Sequence, residues 1–84
     1  MTTYLGDSEK LNEKGKDLAR ARQSLIEELE AVNLYEERIQ ASNNEPLKEL
    51  LIHNRDEEKE HAAMLINYLR ENDAVFNKMF SEHD

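Results

Sequence analysis

Cysteine and tryptophan are absent from this chain, and two glycines and one proline are all the turn-specialised residues that 84 positions contain. Without cysteine there is no disulfide bracing, and a thiolate-based structural zinc site is argued against. So little turn chemistry excludes a fold of many short strands. Apolar runs extend a few residues at most, far short of the roughly 20 that span a bilayer, and no secretory signal is present. A soluble, intracellular protein is the expectation. Basic residues are also scarce, 11 against 19 acidic ones, for a net charge of −8. That balance disfavours nucleic acid and membrane surfaces as partners and favours cations. Its plainer consequence is solubility.

Glu, Lys, Leu and Ala are plentiful. With 36% charged and 38% hydrophobic residues, the composition is that of an all-α protein forming a single domain over residues 1–84. A chain this short buries little apolar surface alone, so oligomerisation is the expected remedy.

The patterning predicts three helices. Asp7 and Ser8 are competent N-caps, which places the first helix over about 8–42. Leu11, Leu18, Leu25, Val32 and Ile39 recur every seven residues, with Lys14, Ala21, Glu28, Tyr35 and Ser42 at the alternate spacing. Gly15 weakens the first part, while Ile26 and Leu29 widen the apolar face. The break Ser42-Asn43-Asn44 ends this seam. Asn43 or Asn44 caps a second helix over about 45–71, with Pro46 in its first turn. Asn72-Asp73 stops it, and a short third helix over about 74–80 carries Val75, Phe76, Met79 and Phe80. The brief loop makes the long helices an antiparallel hairpin.

The second seam reads Leu47, Leu51, Asn54, Glu58, His61, Leu65, Tyr68, so Glu58 and His61 stand where Leu or Ile belongs. Glu28 interrupts the first seam in the same way. Residues three apart share a helix face, so Glu58 and His61 address one point in space. Inward carboxylates are costly unless paired or metal-bound. One Glu plus one Glu-x-x-His is half the ligand set of four-helix di-iron carboxylate bundles, and no single copy of the chain completes it. Two copies bring four carboxylates and two neutral imidazoles, a charge of −4 that two ferrous ions match. Oxygen and nitrogen donors of this kind suit iron or manganese. Tyr35, one heptad beyond Glu28, puts a hydroxyl within range of the same shell. The plainer readings are surface ion pairing and a register-setting polar residue in a structural hairpin adaptor. Tyr68, Met64 and Met79 read as core packing.

Two segments carry more than spacing. Residues 27–35, Glu-Glu-Leu-Glu-Ala-Val-Asn-Leu-Tyr, and residues 53–64, His-Asn-Arg-Asp-Glu-Glu-Lys-Glu-His-Ala-Ala-Met, closely resemble the signature segments of the encapsulated ferritins, and the similarity runs from about Leu25 to Phe80. The resemblance implies a hairpin plus a short third helix, two protomers pairing into a ferritin-like four-helix bundle, and a ring of ten. It implies a ferroxidase centre at the protomer interface that oxidises Fe(II) to Fe(III) with dioxygen. Glu28, Glu58 and His61 are then its metal ligands from both chains, with Tyr35 beside it. It further implies cargo of an encapsulin shell, which mineralises the ferric product, in a prokaryotic cytoplasm. The short targeting tail usual in such cargo is not found before Asp84.

Secondary positions are read in the same terms. Glu27 and Glu30 flank the seam, and the resemblance places such a pair on an iron route to the centre. Leu34 stands where the family commonly has an aromatic. His53, Glu57 and Glu60 share another face and offer an outer metal site or a simple His–Glu pair. A di-iron or di-manganese peroxidase would use the same ligands with a different oxidant.

Overall fold

Helix formation follows from caps that the sequence supplies at each boundary. In the computed structural model, which describes residues 12–84, α1 spans Glu13–Ala41, α2 Glu45–Asn72 and α3 Ala74–Glu82. Asn12 has extended backbone angles, and its side chain accepts from the Gly15 N–H at 2.7 Å. The described part of the first helix therefore begins at Glu13. Asn12 satisfies a free N–H of the first turn, with acidic Glu13 against the positive end of the helix dipole. Residues 8–11 and the proposed caps Asp7 and Ser8 lie outside the described residues.

At the loop, Ser42 is extended, donates its N–H to the Arg38 carbonyl, and accepts from Asn44 N–H at 3.1 Å. Asn44 caps α2 by accepting from the Leu47 N–H at 3.2 Å, and Pro46 sits in the first turn where its missing N–H costs nothing. Asp73 serves two helices. Its N–H closes α2 onto the Leu69 carbonyl, and its carboxylate accepts from Phe76 N–H to start α3. The third helix runs two residues further than expected, closing where the His83 N–H meets the Phe80 carbonyl.

The two long helices form the antiparallel hairpin, and α3 folds back onto the end of α2. Arg70 fastens that corner: its Nε donates to Asn77 Oδ1 at 2.9 Å, and its guanidinium lies 4.9 Å from the Phe80 ring centre. Phe76 and Phe80 pack with centroids 5.0 Å apart.

Burial is sparse. The buried hydrophobic residues among those described are Ala19, Ala21, Ile39, Ala62 and Leu69. The small alanines let the two backbones approach closely. Much of the apolar seam is open on its other side: Ile26, Leu29, Leu34, Leu50 and Met64 are exposed. Met64 and Tyr68, expected in a core, instead line an open groove of about 360 Å³ with His61 and Leu65. Met79 is likewise exposed. A two-helix layer has one inner face, so side chains aimed away from the neighbouring helix find nothing to cover them.

Candidate metal centre

Antiparallel pairing brings the three seam-breaking residues together. Glu28 comes from the middle of α1, while Glu58 and His61 lie one turn apart on α2. His61 Nδ1 is 3.5 Å from Glu28 Oε2 and 3.6 Å from Glu58 Oε2. One ligand atom from each residue lies within 4.8 Å of the other two, and among the described residues no other group of three or more such donors does so. Contacts of 3.5 and 3.6 Å are long for hydrogen bonds. They are close to the separation of two ligands on one ion with bonds of about 2.1 Å.

The electrostatics are unresolved within the protein. Glu28 Oε2 is buried without a hydrogen-bond partner, in a class of atom that folded proteins nearly always satisfy. Contact with the Glu58 carboxylate, across which a proton on Glu28 can be shared, raises the Glu28 carboxyl above its ordinary value. Partial burial and the Glu58 charge push in the same direction, and His61 opposes them. A cation answers each demand: it fills the vacant lone pair, separates the carboxylates and accepts the imidazole nitrogen. The donor set thus fits iron or manganese. The Glu28 and Glu58 side chains are 26% and 24% exposed and that of His61 49%, so the cluster opens on the uncovered face of the hairpin.

The other candidate residues fall elsewhere. Tyr35 is half-buried, with the Arg38 guanidinium 5.9 Å from its ring centre; seven residues from Glu28, it stands about 10 Å along the helix. Glu27 is exposed and accepts from Gln23 Nε2 at 3.2 Å, and Glu30 is exposed nearby. His53 Nε2 and Glu57 Oε1 form a pair at 3.2 Å on the solvent side, without exposed Glu60 joining them in a three-donor group.

One polar neighbour of the cluster was not singled out by the pattern. Arg55, one turn before Glu58, sends Nη1 across the hairpin to Glu36 Oε1 at 2.8 Å and Nη2 to Asp56 Oδ1 at 3.0 Å. The available signal was its spacing: Arg55, Glu58 and His61 recur at intervals of three.

An all-helical hairpin carrying a carboxylate–histidine cluster on its open face is a ferritin-like half-bundle in form. The EncFtn-like family matches residues 3–83, and this chain belongs to the encapsulated-ferritin-like family. It is 53% identical over 66 residues to the encapsulated ferritin-like protein of Rhodospirillum rubrum, covering 79% of this chain and 47% of that one. It is 50% identical over 62 residues to a ferritin-like protein of Thermotoga maritima, covering 74% and 54%. The chain spans about half the length of these relatives. Over 49 residues, 57% of this chain and 38% of the relative, it is 51% identical to the Myxococcus xanthus encapsulin nanocompartment cargo protein EncC. The crystal structure of protein ne0167 from Nitrosomonas europaea superposes with a TM-score of 0.84 at 48% identity, covering 89% of this chain and 82% of that one. Family and all-helical fold therefore agree with the resemblance carried by the two signature segments. Among the described residues, no helix is long and apolar enough to cross a membrane.

Proposed function

We propose that this chain is a ferroxidase subunit that pairs with a second copy, so that two Glu28–Glu58–His61 clusters face each other and bind a pair of irons. The observation that carries this reading is the cluster itself, with an orphaned Glu28 oxygen on an uncovered face. Family membership supports it.

In this reading Fe(II) is the substrate: each ferrous ion gives one electron to dioxygen, which takes up protons as it is reduced. The protein's part is positional and electrostatic. Glu28 would be shared between the two ions, Glu58 would chelate, and His61 would supply a nitrogen donor held by its place one turn from Glu58. Anionic oxygen donors favour the ion of higher charge, so the carboxylates bias the site toward the ferric product. Tyr35, two turns further along α1, would direct its hydroxyl toward the centre from there. The pair of protomers is the building unit of a ring of ten, and the ring is cargo of an encapsulin shell in a prokaryotic cytoplasm, where the ferric product is mineralised for storage. The naming of the EncC relative as encapsulin nanocompartment cargo supports the shell as a partner.

The test joins chemistry to assembly. With Fe(II), about one iron binds per chain and mass in solution rises to a metal-linked assembly. Glu58→Ala and His61→Ala both lose Fe(II)-dependent oxygen consumption while keeping their helicity. Wild-type turnover in both variants, or an assembly indifferent to metal, overturns the reading and leaves a structural hairpin module. Faster iron oxidation by peroxide than by oxygen would identify a peroxidase instead.

A further inference from the structure

We propose that Arg55 is a positioning residue for the metal centre, holding the Glu58–His61 face of α2 against Glu28 by anchoring it to Glu36 of α1. The inference rests on the reading of Glu28, Glu58 and His61 as metal ligands.

The buried residues of α1 are Ala19, Ala21 and Ile39, and between Ala21 and Ile39 no α1 side chain is buried. Glu28 lies in that gap. Opposite it, Glu58 presents a second carboxylate, and two like charges push the helices apart there. With Leu25 and Val32 only half-buried, apolar packing is thin at this level, and a polar tether has register to fix.

Arg55 is placed to do so. Its guanidinium reaches Glu36 Oε1 at 2.8 Å with Nη1, while Nη2 and Nε lie 3.0 and 3.1 Å from Asp56 Oδ1. Donors on both edges of the planar group hold its orientation as well as its position. Its side chain is 21% exposed, so water screens it less than a typical surface pair. Because Arg55, Glu58 and His61 follow at intervals of three, tethering the first to α1 sets the rotation of the face carrying the other two. The tether also occupies Glu36, which would otherwise be a free carboxylate two turns beyond Glu28 on α1. A lysine would keep the charge and lose the fork.

The test uses Co(II) as a spectroscopic probe of the intact chain, with Arg55→Met, Arg55→Lys, the exchange Glu36→Arg/Arg55→Glu, and His61→Ala as ligand control. Arg55→Met is expected to weaken Co(II) about tenfold, as when a residue orienting a ligand is lost, and to alter the visible absorption of the bound ion. Arg55→Lys falls between it and wild type. The exchange restores a cross-helix pair and recovers most of the affinity. A merely structural pair would lower the melting temperature of the metal-free chain and leave the filled site's spectrum unchanged. Wild-type affinity and spectrum in Arg55→Met, with His61→Ala abolishing binding, overturn the Arg55 assignment alone. Equal Co(II) binding by wild type and His61→Ala overturns the ligand reading, and this inference with it.

Discussion

Glu and His build two constellations on α2, and the contrast between them separates the proposed metal centre from surface chemistry. His53 and Glu57 meet at 3.2 Å along one exposed helix face, where a pair of opposite hydrogen-bonding groups satisfies itself. His61 and Glu58 stand at 3.6 Å with Glu28 arriving from α1, and there a buried oxygen is left without a partner. The residue types are the same. What differs is that a second helix brings another carboxylate to one cluster and nothing to the other. A ligand set is therefore defined by what remains unsatisfied after folding, more than by its letters.

The sharpest way to break this comparison is to count tightly bound metal in variants of each cluster. Glu58→Ala or His61→Ala is expected to weaken Co(II) or Fe(II) binding by more than a hundredfold, since each removes one of three donors from the chain. Glu57→Gln is expected to change it less than threefold. Equal losses in both sets, measured as metal per chain after dialysis, would erase the distinction.

A subtler expectation concerns the metal-free chain. Glu28→Gln keeps the shape, removes a charge beside Glu58, and supplies an amide donor to that carboxylate. It should therefore stabilise the metal-free protein by about 1 kcal/mol, a rise of about 4–8 °C in melting temperature, while losing the stabilisation that metal confers on the wild type. The pH dependence has a definite sign. Because Glu28 titrates above its ordinary 4.5 in the folded chain, the folded state keeps a proton that the unfolded state has released. Metal-free stability thus falls as pH rises from that ordinary value through the raised one, and levels off above it. Metal affinity runs the opposite way, weakening as pH falls through the raised value, because the proton competes for the carboxylate. Thermal melts across this range would show the step in wild type and its loss in Glu28→Gln.

Much of this arrangement was legible in the residues. The heptad spacing of Leu18, Leu25, Val32 and Ile39 specified a helix with one apolar seam, and Asn44, Pro46 and Asp73 marked boundaries that the structure keeps. Glu28, Glu58 and His61 could be read because polar residues on an apolar seam conflict with the pattern around them. The N-terminal boundary was less visible: Leu11 extends the heptad upstream, and Asp7, Ser8 and Asn12 are all competent caps. Of these, Asn12 is the one among the described residues, and its extended backbone and side chain cap Glu13–Ala41. Met64 and Tyr68 were misplaced for another reason, since periodicity says which face is apolar and not whether a single chain covers it. Arg55 was hidden because its partner, Glu36, lies 19 residues away: the three-residue spacing from Glu58 marks the face it shares, not the carboxylate it pairs with.

The smallest expected effect tests the plain half of the comparison. If His53 and Glu57 are only an exposed pair at the spacing of one helical turn, breaking it should cost about 0.3–0.5 kcal/mol, or about 1–4 °C in melting temperature. The choice of variant matters here. His53→Ala would substitute a far better helix former, and the propensity gained would mask the pair lost. Glu57→Gln is nearly isosteric and similar in propensity, so its loss reports the interaction. With His53 protonated and both side chains more than half exposed, the difference from wild type should shrink in about 1 M salt, where the screening length falls to about 3 Å. Manganese or Co(II) at stoichiometric levels should leave the melting difference unchanged. A metal-dependent stabilisation lost in Glu57→Gln and retained in Glu58→Ala would mean that two donors on an exposed face suffice, and that the unsatisfied oxygen of Glu28 is not what distinguishes the two clusters.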